Sequence, residues 1–393
     1  MLQSTSHAWW SEILQNIFAK SIGELIAPRA AMLFRAVKSL FGRSSPEAPQ
    51  ALRDVQRAQS GSGWPREGRG IWVIDPISPP KIESNPHIPS AKILVVANAK
   101  GGVGKTTVSA NLGARFAELA KTNGKKPVLL IDLDFQGSLS SMCVAGGLGW
   151  LPSGDRDSNA THLISGDLAA TDVANGIAMP ATIVKNGGHS IQLSQLKVLT
   201  AYYDLAQAEN RVMIEWLLGD RQYDVRFRLA ELLHSNAVRE AFSMIIIDSP
   251  PRLTTGAIQA LAAGTHLLIP TILDEPSSEA VVTFIRQVET YREKGLCQCI
   301  KHVGVAATMV DPKGSYGAEE TRLRDRLAAP TARGGAGGVS QLLPASTYIH
   351  QSAAFRKTGG KGITYSLLGD GHFAARLKAS IRELADAVNR EMS

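Results

Sequence analysis

Short runs of consecutive aliphatic residues alternate along this chain with longer segments in which apolar side chains recur every three or four positions. The runs KILVVAN (92–98), PVLLIDLD (127–134), MIIIDSP (244–250), THLLIPT (265–271) and HVGVAATM (302–309) show little polar alternation. That is how a strand reads when both faces of its sheet are covered. Helical spacing predicts helices near 106–121, 199–218, 226–242, 255–263, 277–294, 316–327 and 372–390. Strands alternating with helices imply βα units, hence an α/β fold with a doubly wound, mostly parallel sheet flanked by helices.

The first 43 residues follow another pattern. Apolar side chains stand at Trp10, Ile13, Leu14, Ile17, Phe18, Ile22, Leu25 and Ile26, then at Leu33, Val37, Leu40 and Phe41, with Pro28 between the two sets. This predicts an N-terminal extension of two short amphipathic helices interrupted at the proline. Lys20, Arg29, Arg35, Lys38 and Arg43 accompany them, and residues 1–70 hold nine Lys/Arg against five Asp/Glu. Such helices suit packing on the main domain, binding a partner protein, or lying in a membrane interface that Trp9, Trp10 and the cations would favour. From Ser44 the composition turns to Ser, Pro, Gly, Gln and Arg, as in a linker. The expected division is a helical extension over 1–43, a linker over 44–90 and a main domain over 91–393.

Composition narrows the class. A chain of 393 residues with 44% hydrophobic content can bury a large core. No run of about 18 charge-free apolar residues occurs, and the N-terminus lacks the order of a signal peptide. A cytoplasmic protein is expected. The three cysteines, Cys143, Cys297 and Cys299, fit a reducing compartment, and the Cys297-x-Cys299 pair has no nearby His or Cys to complete a zinc site. A formal charge of +7 permits contact with DNA or an anionic membrane and requires neither.

The candidate chemistry lies where the first aliphatic run meets Gly101-Gly102-Val103-Gly104-Lys105-Thr106-Thr107 and a helix begins at once. Glycines let successive backbone N–H groups turn inward around phosphate oxygens, and the helix N-terminus adds its positive end. Lys105 is placed to reach the β- and γ-phosphates and the Thr106 hydroxyl to ligate Mg²⁺. Magnesium is usually held by one or two protein groups plus the phosphates, so a carboxylate at a neighbouring strand end is expected. Asp248 closes MIIID, and Asp132 and Asp134 close VLLIDLD. Three acids at the carboxyl edge of one parallel sheet suggest a shared site, with Asp134 best placed to hold a nucleophilic water in line with the γ-phosphate. One lysine suffices for such a loop, yet Lys100 stands on its other side.

With that second lysine the sequence resembles the ParA/MinD family of deviant Walker ATPases, whose loop reads K-G-G-x-G-K-[ST]. The loop here runs from Lys100 to Thr106; IDLDFQGS resembles the family's D-x-D-x-Q-G switch I segment, IIIDSPP its Walker B and switch II, and VAATMVDPK its T-M-x-D segment near the base. The likeness spans residues 92–390 and favours ParA over MinD. It implies binding of ATP and Mg²⁺ by residues 101–107 together with Met309 and Asp311. It also implies that Lys100 reaches across an ATP-dependent homodimer to the facing phosphates, that Asp134 positions water, and that Asp248 supports the metal alongside Thr106. A slow ATPase stimulated by a ParB-like or other partner follows, acting as a switch that segregates DNA or positions a cargo.

Family members of this kind bind DNA without sequence preference, for which Arg356, Lys357 and Lys361 are the leading candidates and Arg322, Arg324 and Arg326 a second group. That reading expects nucleoid association. A MinD-like membrane-surface organiser, anchored by the N-terminal helices, is the alternative, and a metabolic relative such as an amide-forming ligase or an iron–sulfur reductase stands behind both. Two departures from the family occur: Phe135 stands where proline is common, and GGLGWLPSGDRDSN (146–159) reads as an inserted loop.

Overall fold

A buried aliphatic run must pair every backbone N–H and C=O, and a parallel sheet does so while offering both faces to helices. The computed structural model shows this arrangement. It describes residues 70–81, 87–144, 159–175, 178–185, 188–219, 223–329, 340–358, 360–369 and 371–392. The helical extension, the linker up to residue 69 and nearly all of the inserted loop lie outside the described residues.

In chain order the elements are β1 (Ile93–Val96), α1 (Lys105–Thr122), β2 (Val128–Asp132), α2 (Ser138–Cys143), α3 (Ala160–Ser165), α4 (Ala170–Ala174), β3 (Met179–Val184), β4 (Ser190–Leu199), α5 (Leu205–Leu217), α6 (Arg228–Leu233), α7 (Asn236–Ala241), β5 (Met244–Asp248), α8 (Thr255–Ala263), β6 (His266–Thr271), α9 (Glu275–Glu293), β7 (Lys301–Val310), α10 (Gly317–Ala328), β8 (Ile349–His350), α11 (Ala353–Lys357), α12 (Thr364–Leu367) and α13 (His372–Glu391). The sheet order is β3-β4-β2-β5-β1-β6-β7-β8. All neighbours are parallel except β3 and β4.

Alternation along each strand splits the core into two layers. Ile93, Val95, Ile131 and Ile247 face a layer containing Leu205 of α5, Leu229 of α6, Ile258 of α8 and Val281 of α9. Leu94, Val96, Leu130 and Ile246 face α1 and α13 through Val108, Leu112, Leu377 and Ile381. β2 to β5 lie on one side of β1 and β6 to β8 on the other, with β5 returning to fill the place between β2 and β1, so the carboxyl end of β1 is the switch point at which open sheets of this kind bind ligands. Register completes the placement, with Val96 and Asp132 each opposite Asp248.

The five expected strands and most expected helices are present, with differences at particular places. Leu199 ends β4 and the following helix starts only at Leu205. The single helix expected over 226–242 is a 3₁₀ turn at Val225–Phe227 followed by α6 and α7, because Ser235 turns extended and its hydroxyl caps the Val238 N–H. The β3–β4 hairpin was absent from the strand pattern: β3 contains Pro180 and slips register there, and the first half of β4 is largely exposed. Within the range read as linker, residues 71–76 dock on the main domain. Trp72 is buried with its ring parallel to Trp216 at 6.4 Å, and its indole N–H donates to the Leu253 carbonyl. The fully buried Arg226 donates to the carbonyls of Trp72 (3.1 Å), Ile74 (2.8 Å) and Pro76 (2.8 Å). No described helix is long and apolar enough to cross a membrane.

Candidate nucleotide-binding site

The loop after β1 is fixed from outside before any ligand enters it. Buried Asn98 donates to the Pro270 carbonyl near the end of β6 (2.8 Å) and accepts from the Lys100 N–H (3.0 Å). Thr308 of β7 places its hydroxyl 2.8 Å from the Val103 carbonyl and 3.0 Å from that of Thr271. Gly102 and Gly104 adopt φ of 72° and 79°, a left-handed backbone that side chains other than glycine's resist. The N–H groups at the start of α1 therefore open toward the loop's hollow, where a phosphate can meet them.

The two lysines have separate surroundings. The Lys105 ammonium is buried and donates to the Lys100 carbonyl at 2.9 Å. Burial lowers its pKa, against the pull of Asp248 and Asp134. The Lys100 ammonium instead lies outside the cradle, 2.6 Å from the Ser277 hydroxyl and 3.3 Å from Asp274.

The three acids divide by their partners. Asp132 is committed: one oxygen accepts from the Ser140 N–H (2.8 Å) and hydroxyl (2.7 Å), the other from the Asp134 N–H (3.1 Å). It fastens the turn after β2 and has little left for a ligand, so the shared three-acid site reduces to two. Asp134 is half-buried, accepts from the Gln136 N–H (3.1 Å) and lies near enough to Lys105 to oppose its loss of a proton.

Asp248 is fully buried, with one oxygen accepting from Ser109 (2.9 Å) and the other without a hydrogen-bond partner. Burial raises its pKa, and Asp132 adds to this, while Thr106, Ser109 and Lys105 oppose it. An orphaned carboxylate oxygen beside Thr106 fits the hydration shell of a divalent cation. Thr106 and Asp248 are thus the residues that would hold Mg²⁺.

Beside the loop opens a cavity of about 570 Å³, bounded by Gly104 and Thr107 on one side and by Met309, Pro312, Ile349, Gln351, Phe355 and Arg356 among others. Its mixture of apolar walls and a few polar groups suits a base and ribose. Met309 lines it from a strained backbone at φ 54°. Asp311 is not among its lining residues; its carboxylate caps the Lys313 N–H at 2.9 Å. The basic cluster separates too: Arg356 faces the cavity, Lys357 ends α11, and exposed Lys361 accepts from the Val184 N–H through its carbonyl. Arg322 and Arg326 pair with Glu275.

The sequence reading missed Asn98, Thr308, Asp274, Ser277 and the wall from Ile349 to Phe355. Asn98 and Thr308 adjoin residues it singled out, but nothing local marks them as loop supports. The others lie too far along the chain to signal a part in this site.

A family model described as an AAA domain matches residues 91–301. The sporulation initiation inhibitor protein Soj of Bacillus subtilis is 33% identical over 226 residues, which is 58% of this chain and 76% of that protein. The chromosome-partitioning ATPase Soj of Treponema pallidum is 33% identical over 225 residues, 56% of this chain and 73% of the relative. Among solved structures, a McdA–ATP complex from Cyanothece is similar with TM-score 0.56 at 20% identity, covering 76% of this chain and 97% of that one. Cobyrinic acid a,c-diamide synthase from Mycobacterium smegmatis with bound ADP and magnesium gives 0.52 at 24%, covering 77% and 95%. At these identities the likeness is one of fold.

Proposed function

Because the chain belongs to the ParA/MinD family of P-loop ATPases, we propose that it works as an ATP-driven dimeric switch that binds DNA non-specifically and segregates DNA or positions a cargo. The name of its Treponema pallidum relative, a chromosome-partitioning ATPase, supports the DNA reading. One observation carries the dimer: the loop already contains its own cation in Lys105, whereas the Lys100 ammonium lies outside the cradle. A lysine in that position gains a catalytic task when a second subunit brings its phosphates to it.

In the proposed cycle the backbone of residues 101–107 and Lys105 bind the triphosphate, and the cavity beside Met309 takes the base. Thr106 and Asp248 would hold Mg²⁺, which would supply positive charge against the phosphates. Asp134 orients a water toward the γ-phosphorus; the new P–O bond forms as the bond to the bridging oxygen breaks, giving ADP and phosphate. Lys100 of the facing subunit compensates the charge that develops. Hydrolysis opens the dimer, and a ParB-like or other partner sets its rate by acting on the closed form.

Light scattering with a non-hydrolysable ATP analogue tests this reading. Lys100→Ala should bind the analogue with near-parental affinity yet remain monomeric and fail to hydrolyse ATP. A variant that dimerises and turns over like the parent overturns the assignment. Sedimentation of the ATP-bound parent with DNA, and separately with anionic liposomes, identifies the surface; lipid binding without DNA binding would replace the DNA reading with the membrane one.

A further inference from the structure

In the single chain the Lys100 side chain is held rather than free. Its backbone is fixed at both ends, the N–H by Asn98 and the carbonyl by the Lys105 ammonium. Its ammonium meets the start of α9, at Ser277 (2.6 Å) and Asp274 (3.3 Å). Asp274 is the N-cap of that helix, accepting the Ser277 N–H at 2.7 Å, and Ser277 is fully buried. Beside it, Glu275 at the same helix start pairs with Arg322 and Arg326 of α10. The movable part is therefore the lysine side chain, while Asp274 and Ser277 belong to the capped start of α9.

We propose that Asp274 and Ser277 are positioning residues that hold Lys100 in its own subunit and set how much nucleotide is needed to close the dimer. This rests on the assignment of Lys100 in trans. An ammonium neutralised by a carboxylate offers little net charge to a facing triphosphate, so the pair must be broken or weakened on closure. Release is inexpensive for the dock, since Asp274 keeps its bond to the Ser277 N–H and the positive end of α9. The Lys100 and Asp274 side chains retain 30% and 43% of their exposure. Solvent screening at that exposure makes the pair a bias on the equilibrium and not a lock.

Asp274→Asn tests the proposal, because asparagine preserves the cap while removing the charge. The analogue concentration giving half-maximal dimer should fall about two- to five-fold, the range open to an exposed ion pair, with the thermal midpoint near that of the parent. Ser277→Ala should shift the threshold in the same direction, and it decides the matter if Asp274→Asn does not fold. Adding Lys100→Ala to either variant should remove the gain. An unchanged or raised threshold in the folded variants overturns the latch. If Lys100→Ala alone dimerises and hydrolyses like the parent, the trans assignment has failed. If Lys100→Ala stays monomeric while Asp274→Asn and Ser277→Ala leave the threshold where it was, only the latch has.

Discussion

The surroundings of Asp248 conflict with its charge. It is fully buried at the end of β5 with one oxygen unpaired, and burial together with the nearby Asp132 raises its pKa above the ordinary carboxylate range. A raised folded-state pKa means that the folded chain holds a proton which the unfolded chain has released. Stability without ligand should then fall as pH rises from the ordinary carboxylate range through the raised value. Asp248→Asn should lift the thermal midpoint by about a few degrees at neutral and alkaline pH, with the gain vanishing in acid. The same change should remove Mg²⁺-dependent nucleotide binding. Calorimetry in buffers of different ionisation heat should find proton release when Mg·ATP binds the parent. Equal stability of parent and variant across the pH range would show that the carboxylate carries no strain.

At the scale of elements, the phosphate loop and the strap at 71–76 are both held by side chains distant in sequence. Arg226 joins the strap to the start of α6 by hydrogen bonds to three carbonyls, an ion pair with Asp224 and a position 4.8 Å over the Trp216 ring. Removing one member of a buried charged network leaves the rest unpaired, at a cost of roughly 3–5 kcal/mol. Arg226→Ala should show a loss of that order in chemical denaturation. A loss below about 1 kcal/mol would mean that the strap is held by its apolar contacts alone. The strap also reaches the nucleotide side of the sheet, because Trp72 donates to Leu253 in the loop that follows Asp248.

At the scale of the molecule, the basic residues before the last helix divide by their place relative to the cavity. All three are exposed, but Arg356 lines the cavity beside the phosphate loop and Lys357 and Lys361 do not. Replacing Lys357 and Lys361 together by Ala should weaken DNA binding alike for all sequences and lower its salt slope by about two, one for each lost phosphate contact. Nucleotide affinity should hold. Arg356→Ala should also weaken ATP binding, so a triple variant would confuse the two effects. Filter binding over a salt series measures the first, and fluorescent-nucleotide titration the second. An unaltered slope would move the DNA surface elsewhere.

The sequence by itself determined whatever is encoded between neighbours in the chain. Runs such as Ile93–Val96 and Met244–Asp248 are legible as buried strands because both faces must be apolar, and the glycine loop is legible because strand, turn and helix start follow in order. Lys105, Thr106 and the strand-ending Asp248 could be named as one site from those rules. Packing decided the rest. VLLIDLD favours Asp134 for the water but leaves Asp132 in the shared site, and only the structure shows Ser140 consuming Asp132 while Asp134 stays half-buried. Arg356 reads as one of a basic run until β8 pairs with β7 and the chain that follows brings it to the cavity wall. Lys100 meets Asp274 across 174 positions of chain. No local pattern specifies such a pairing, because it depends on β1 and β6 lying side by side, and that adjacency follows from burying the whole sheet at once.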